Sequence, residues 1–107
     1  MIRLSDADRA GIEQACERVL GDRPGAVVRL FGSRARAGRG GDIDLLVSLA
    51  SAEADELTLK IRFKQAVEDR LGERKIDVVV EGPGGGGAFA ALAKQEGVIL
   101  WSHPRKN

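Results

Sequence analysis

Leu30-Phe31-Gly32-Ser33-Arg34-Ala35-Arg36-Ala37-Gly38-Arg39-Gly40-Gly41-Asp42-Ile43-Asp44-Leu45-Leu46-Val47 is the stretch around which the chain is organised. A mainly hydrophobic run, Val27 to Phe31, stops at Gly32-Ser33. A basic, glycine-dotted loop follows, and Asp42-Ile43-Asp44 then opens a second hydrophobic run that ends near Val47. If the two runs are neighbouring strands, the Gly-Ser turn and both aspartates fall at one end of a sheet. That brings backbone amides and a hydroxyl, suited to phosphate, close to two carboxylates, suited to a divalent cation.

Successive strand side chains point to opposite faces, so Asp42 and Asp44 share a face about 6.5–7 Å apart along the chain. Ile43, Leu45 and Val47 take the other face and can pack on helices. Two carboxylates this close repel, and one tends to stay protonated unless a cation lies between them. Mg²⁺ meets that need, because one or two carboxylates hold it while substrate phosphates supply further oxygens. Two such ions about 3.5–4 Å apart can clamp the attacking and leaving oxygens of an in-line displacement. An isolated Asp-x-Asp is often just a solvated strand end; the preceding Gly-Ser turn is what gives this one weight. Gly32 lets the backbone approach a ligand, and a following helical turn would aim free amides at an anion. Ser33 adds a hydroxyl, and Arg34, Arg36 and Arg39 add positive charge.

The length of 107 residues allows one domain, spanning 1–107, with a single core and little to spare. Hydrophobic and charged contents of 43% and 31% describe a soluble globular chain, and a net charge of +1 argues against a general polyanion binder. Charge is uneven, however. Asp22 to Gly41 holds five arginines (Arg23, Arg29, Arg34, Arg36, Arg39) against one acid, a cluster that suits nucleotide phosphates better than a long duplex. Aromatics make up 4%, which leaves few stacking platforms for single strands, so nucleic acid is not expected as a stable partner. Cys16 is the only cysteine, which rules out an internal disulfide. No signal peptide or membrane-length apolar run is present, and a cytoplasmic, membrane-free protein is expected.

Along the chain, Ser5 reads as the N-cap of a first helix, with Asp8 three residues on. Ile12, Ala15, Cys16, Val19 and Leu20 recur at helical spacing up to Gly21, which makes Cys16 a small core residue. Asp22 to Gly25 is a turn and Ala26 to Phe31 a strand. Ser51 is the expected cap of a long helix reaching Leu71, with Leu59, Phe63, Ala66 and Val67 inward and Gly72 as its stop. Lys75 to Val80 reads as a third strand, apolar on both faces after its start and therefore central. Asp77 is the exception. A carboxylate there is costly unless it is paired, metal-bound or at the exposed end, and beside Asp42 and Asp44 a third acidic ligand is the preferred reading. Pro83 and Gly84 to Gly87 form a link without the signature of a P-loop. Ala88 to Glu96 reads as a short helix and Val98 to Trp101 as a last strand, with Trp101 either a core plug or a partner anchor, and His103 in a polar tail.

Gly32-Ser33, Asp42-Ile43-Asp44 and a later strand aspartate, Asp77, together resemble the DNA polymerase beta-like nucleotidyltransferase superfamily, and more narrowly its minimal, single-domain, antitoxin-like members. The resemblance runs from about Val27 through Val80. It implies that Gly32 and Ser33, with Arg34 beside them, hold the nucleotide's phosphates, and that Asp42, Asp44 and Asp77 bind the metals. Asp77 would also help activate the nucleophile. Only eight residues separate Ser33 from Asp42, fewer than is usual in that superfamily.

The fold expected is α/β of the α+β kind: a small mixed sheet with helices chiefly on one face and an acidic floor on the other. The activity expected is Mg²⁺-dependent transfer of a nucleoside monophosphate, AMP foremost, from an NTP such as ATP to a hydroxyl. Two Mg²⁺ are implied, with Mn²⁺ as a substitute. The resemblance further implies a small helical partner of the HEPN type in a toxin–antitoxin pair, some minimal members transferring AMP to that partner. The alternative is a non-catalytic antitoxin that neutralises its partner by contact.

Overall fold

The computed structural model describes residues 4–31, 42–72, 75–84, 91, 95 and 97–103. Two helices and four strands follow in the order α1 (Asp6–Leu20), β1 (Val27–Phe31), β2 (Asp42–Ser48), α2 (Glu56–Leu71), β3 (Lys75–Glu81) and β4 (Val98–Ser102). Helix α1 begins as its capping pattern predicts, with the Asp8 amide donating to the Ser5 hydroxyl at 3.0 Å. Its apolar stripe, Ile12, Ala15, Cys16, Val19 and Leu20, is buried. Gly11 lies where α1 crosses the end of α2. A Cβ there would come 2.8 Å from a Leu71 methyl and 3.2 Å from the Arg70 Cβ, so the missing side chain sets how closely the helices approach.

Helix α2 starts later than the expected cap at Ser51. Its cap is Asp55, whose carboxylate accepts from the Thr58 amide at 3.0 Å and from the Thr58 hydroxyl at 2.7 Å. The physical reason lies upstream: Arg23 reaches across to Glu53 at 2.9 Å and holds residues 50–54 out of the helix. Leu59, Phe63, Ala66 and Val67 form the buried face, as their spacing predicts.

The strands form one mixed sheet in the order β3-β2-β1-β4. Strand β1 is antiparallel to both β2 and β4, and β2 is parallel to β3. Among the described strands β3 is therefore at the edge, which corrects the expectation of a central one. Its run of valines reflects cover from the helices on one face and partial cover on the other: Ile76 and Val78 are buried, Val79 and Val80 only half-buried. In β4 the pairing with β1 shifts by one residue between Val28 and Arg29, leaving Leu100 as an extra residue. The alternation breaks there, and Leu100 and Trp101 are both buried in the core.

Val28, Leu30, Ile43, Leu45, Val47, Ile76 and Val78 join the buried faces of α1 and α2 in one cluster. Both helices thus lie on one face of the sheet, the expected α+β arrangement. Trp101 belongs to this core, and its indole N–H donates to Glu17 at 2.9 Å. His103 is no loose tail residue. Its amide donates to the Ala26 carbonyl at 2.8 Å, and its Nε2 donates to the Gly21 carbonyl at 2.8 Å. Ala91 and Gln95 are helical, while most of the expected helix around them lies outside the described residues. No helix among the described residues is long and apolar enough to cross a membrane.

Candidate active site

Strand alternation sends Ile43, Leu45, Ile76 and Val78 into the helix-covered core, so Asp44 and Asp77 belong to the opposite face. The parallel ladder makes these two aspartates direct partners, and the antiparallel ladder makes Phe31 the partner of Asp44 on its other side. Phe31, Asp44 and Asp77 therefore form one row across β1, β2 and β3, at neighbour spacings of about 4.8 Å. Asp77 is exposed and Asp44 half-buried. One step further toward the end of the sheet, Asp42 pairs with Lys75. The chain leaves β1 at Phe31 directly into Gly32-Ser33.

The structure thus sets Asp44 beside Asp77 at the end of the sheet where β1 closes. Asp42 is described in its backbone only, and Gly32, Ser33 and Arg34 lie outside the described residues. Among the described side chains, no group of three or more His, Cys, Asp or Glu is gathered for a metal. The pair that is described fits a hard divalent cation in its chemistry: two adjacent carboxylates, neither fully buried, on a face away from the helices.

Of the arginine cluster, Arg34, Arg36 and Arg39 lie outside the described residues, and the two that are described, Arg23 and Arg29, are engaged elsewhere. Arg23 lies at the far end of the sheet, before β1, with its guanidinium on Glu53 at 2.9 and 3.2 Å and on Asp22 at 2.7 Å. Glu53 is held below the usual carboxylate range, first by the hydrogen bond from Arg23. A cleft of about 310 Å³ there is lined by Asp22, Arg23, Pro24, Ser51 and Glu53, charges already engaged with one another. Arg29 sits within the sheet and donates to the Ser48 hydroxyl at 3.3 Å. Ser48 in turn donates to Glu81 at 2.6 Å. A polar chain Arg29–Ser48–Glu81 thus spans three strands on the acidic face, and Glu81 is 4% exposed.

Burial, with Glu17 and Glu13 adding to it, pushes the Cys16 thiol up to about 12, so it stays protonated and is no nucleophile. Two features escape sequence reasoning. Glu81 reads as the polar end of a valine run, and nothing local betrays its burial. Lys75 was open to inference: it stands two residues before Asp77, as Asp42 stands two before Asp44, so it shares a face with both pairs once the strands are in register.

The family model described as a nucleotidyltransferase domain matches residues 11–97, a span that includes β1, β2, α2, β3 and most of α1. A search of curated proteins finds no match to this chain.

Proposed function

Because this chain belongs to the nucleotidyltransferase domain family, within the polymerase beta-like superfamily, we propose that it transfers AMP from ATP, with Mg²⁺, to a hydroxyl acceptor. The observation that carries the proposal is the direct pairing of Asp44 with Asp77 on the face away from α1 and α2, in the row that Phe31 completes. Asp42, Asp44 and Asp77 would hold Mg²⁺, and Gly32, Ser33 and Arg34 would take the triphosphate. When bound, the metal neutralises charge developing on the phosphates. The acceptor oxygen attacks the α-phosphorus, the bond from that phosphorus to the α–β bridging oxygen breaks, and pyrophosphate leaves. Asp77, on the outermost strand of the row, would take the acceptor's proton. With so little covalent work for the protein, its contribution is positioning and electrostatics.

The acceptor proposed is a hydroxyl on a small helical protein of the HEPN type. The test is incubation of this chain with the product of the adjoining gene, Mg²⁺ and each α-labelled NTP in turn. Label is expected on the partner, from ATP above the other nucleotides, and lost with Asp44→Asn. A partner that binds stoichiometrically but never takes label from any NTP would instead identify a contact antitoxin.

A further inference from the structure

Among the described residues, this end of the sheet carries one charge of the wrong sign. Asp42 and Lys75 are partners in the β2–β3 ladder, one step before Asp44 and Asp77. These four positions mark the corners of a cell about 4.8 by 7 Å. Lys75 is the first residue of β3, at the margin of the described sheet, and is exposed, so the cell lies within the reach of a lysine side chain. Beside carboxylates meant for a bare divalent cation, such a charge is a hindrance, because it repels the metal and competes for its ligands. It becomes favourable only when the metal arrives with a polyanion, whose phosphate oxygens give the ammonium a second partner.

We propose that Lys75 is a substrate-contacting residue of this site, which weakens binding of free divalent cation and strengthens binding of the metal–triphosphate complex. This rests on the metal assignment made above for Asp42, Asp44 and Asp77. The ammonium offsets the negative charge of the cell when no ligand is present. It turns to non-bridging phosphate oxygens when metal and nucleotide enter together. The site then discriminates against empty metal loading, and it does so from the β3 side, across β2 from the end of β1. Guarding the open edge against strand pairing is the competing role for an exposed lysine here. It would leave both affinities untouched.

The test compares wild type, Lys75→Gln, Lys75→Arg and Asp44→Asn in the full chain. Calorimetric titrations use MnCl₂ alone and Mg²⁺ with a non-hydrolysable ATP analogue, each at low and high ionic strength. A unit charge about 7 Å away in a mostly aqueous setting changes affinity about three- to tenfold. Lys75→Gln is therefore expected to bind Mn²⁺ alone more tightly and the metal–analogue complex more weakly, each by about that factor. Both differences are expected to shrink at high salt, and Lys75→Arg is expected to behave as wild type. Unchanged affinities in Lys75→Gln, with binding lost in Asp44→Asn, would overturn the role of Lys75 and leave the metal site standing. Weakening of both ligands alike would overturn it too, as a general disturbance. A wild type that binds neither ligand would remove the metal assignment itself.

Discussion

Asp44 is the residue on which the proposed site turns, because it lies between Phe31 and Asp77 in the row. Packing carboxylates together without a cation opposes folding, and replacing one by its neutral isostere relieves that. Asp44→Asn is expected to melt at or above the wild-type temperature in chelator, and below it with Mg²⁺ and ATP, where ligand stabilises only the wild type. Equal destabilisation under both conditions would make Asp44 a structural acceptor. Ser33→Ala is expected to weaken nucleotide binding by about 1.5–3 kcal/mol, the worth of a hydrogen bond to a charged group, with little change in melting of the free protein. At the other end of the sheet, Glu53 supplies a pH signature. Its carboxylate is held below its ordinary value of 4.5, so the stability it adds is present above that value and is lost as pH falls through the lowered one. Glu53→Gln is expected to be less stable than wild type at neutral pH, the two melting curves converging as the solution is acidified below about pH 4. The face that Asp44 takes was legible from strand parity, a local rule, and Asp77 stood out as a carboxylate at the head of a valine run. Glu81 was not legible, because its burial is decided by Ser48 and Arg29 on two other strands.

Elements were legible where their signals are local and compete with nothing. Ser5 and Asp8 fixed the start of α1, and the stripes of α1 and α2 fixed their buried faces. Ser51 misled because a cap is chosen among several polar residues, and the Arg23–Glu53 pair, formed by residues 30 apart, tips the choice to Asp55. The place of β3 at the edge was not legible either, since a row of valines records cover by helices as readily as cover by strands. The joint between α2 and β3 gives a prediction of its own. Gly72 closes the helix by donating to the Glu68 carbonyl at 2.9 Å, with φ +79° and ψ −148°. That backbone region is open to glycine almost alone. Among the described residues, its chain neighbours aside, no atom lies within 4 Å of where its Cβ would be, so the strain argued here is conformational. Gly72→Ala is expected to cost about 1–3 kcal/mol in a denaturant titration, with no change in the slope of the transition. A neutral result would mean that the turn relaxes without loss.

At the scale of the whole molecule, β4 closes the open side of β1 and delivers Leu100 and Trp101 to the core. Removing residues 98–107 would strip two large buried side chains, each worth about 2–5 kcal/mol, from a domain whose total is about 5–15 kcal/mol. It would also bare β1 as a new edge. Loss of a cooperative melt, with aggregation on size exclusion, is the expected outcome. Trp101, the sole tryptophan, reports such events by fluorescence in the intact chain. The opposite margin behaves differently. Among the described residues, strand β3 is held by a ladder on one side only, yet it carries Asp77 and Lys75. Local openings of such a margin need far less free energy than global unfolding, so its amide protons are expected to exchange with deuterium well before those of β1. Each opening takes Asp77 away from Asp44. A ligand that bridges the two aspartates must therefore slow exchange across residues 76–80 while leaving α1 unchanged, and that protection pattern would report occupancy of the site before any acceptor is known.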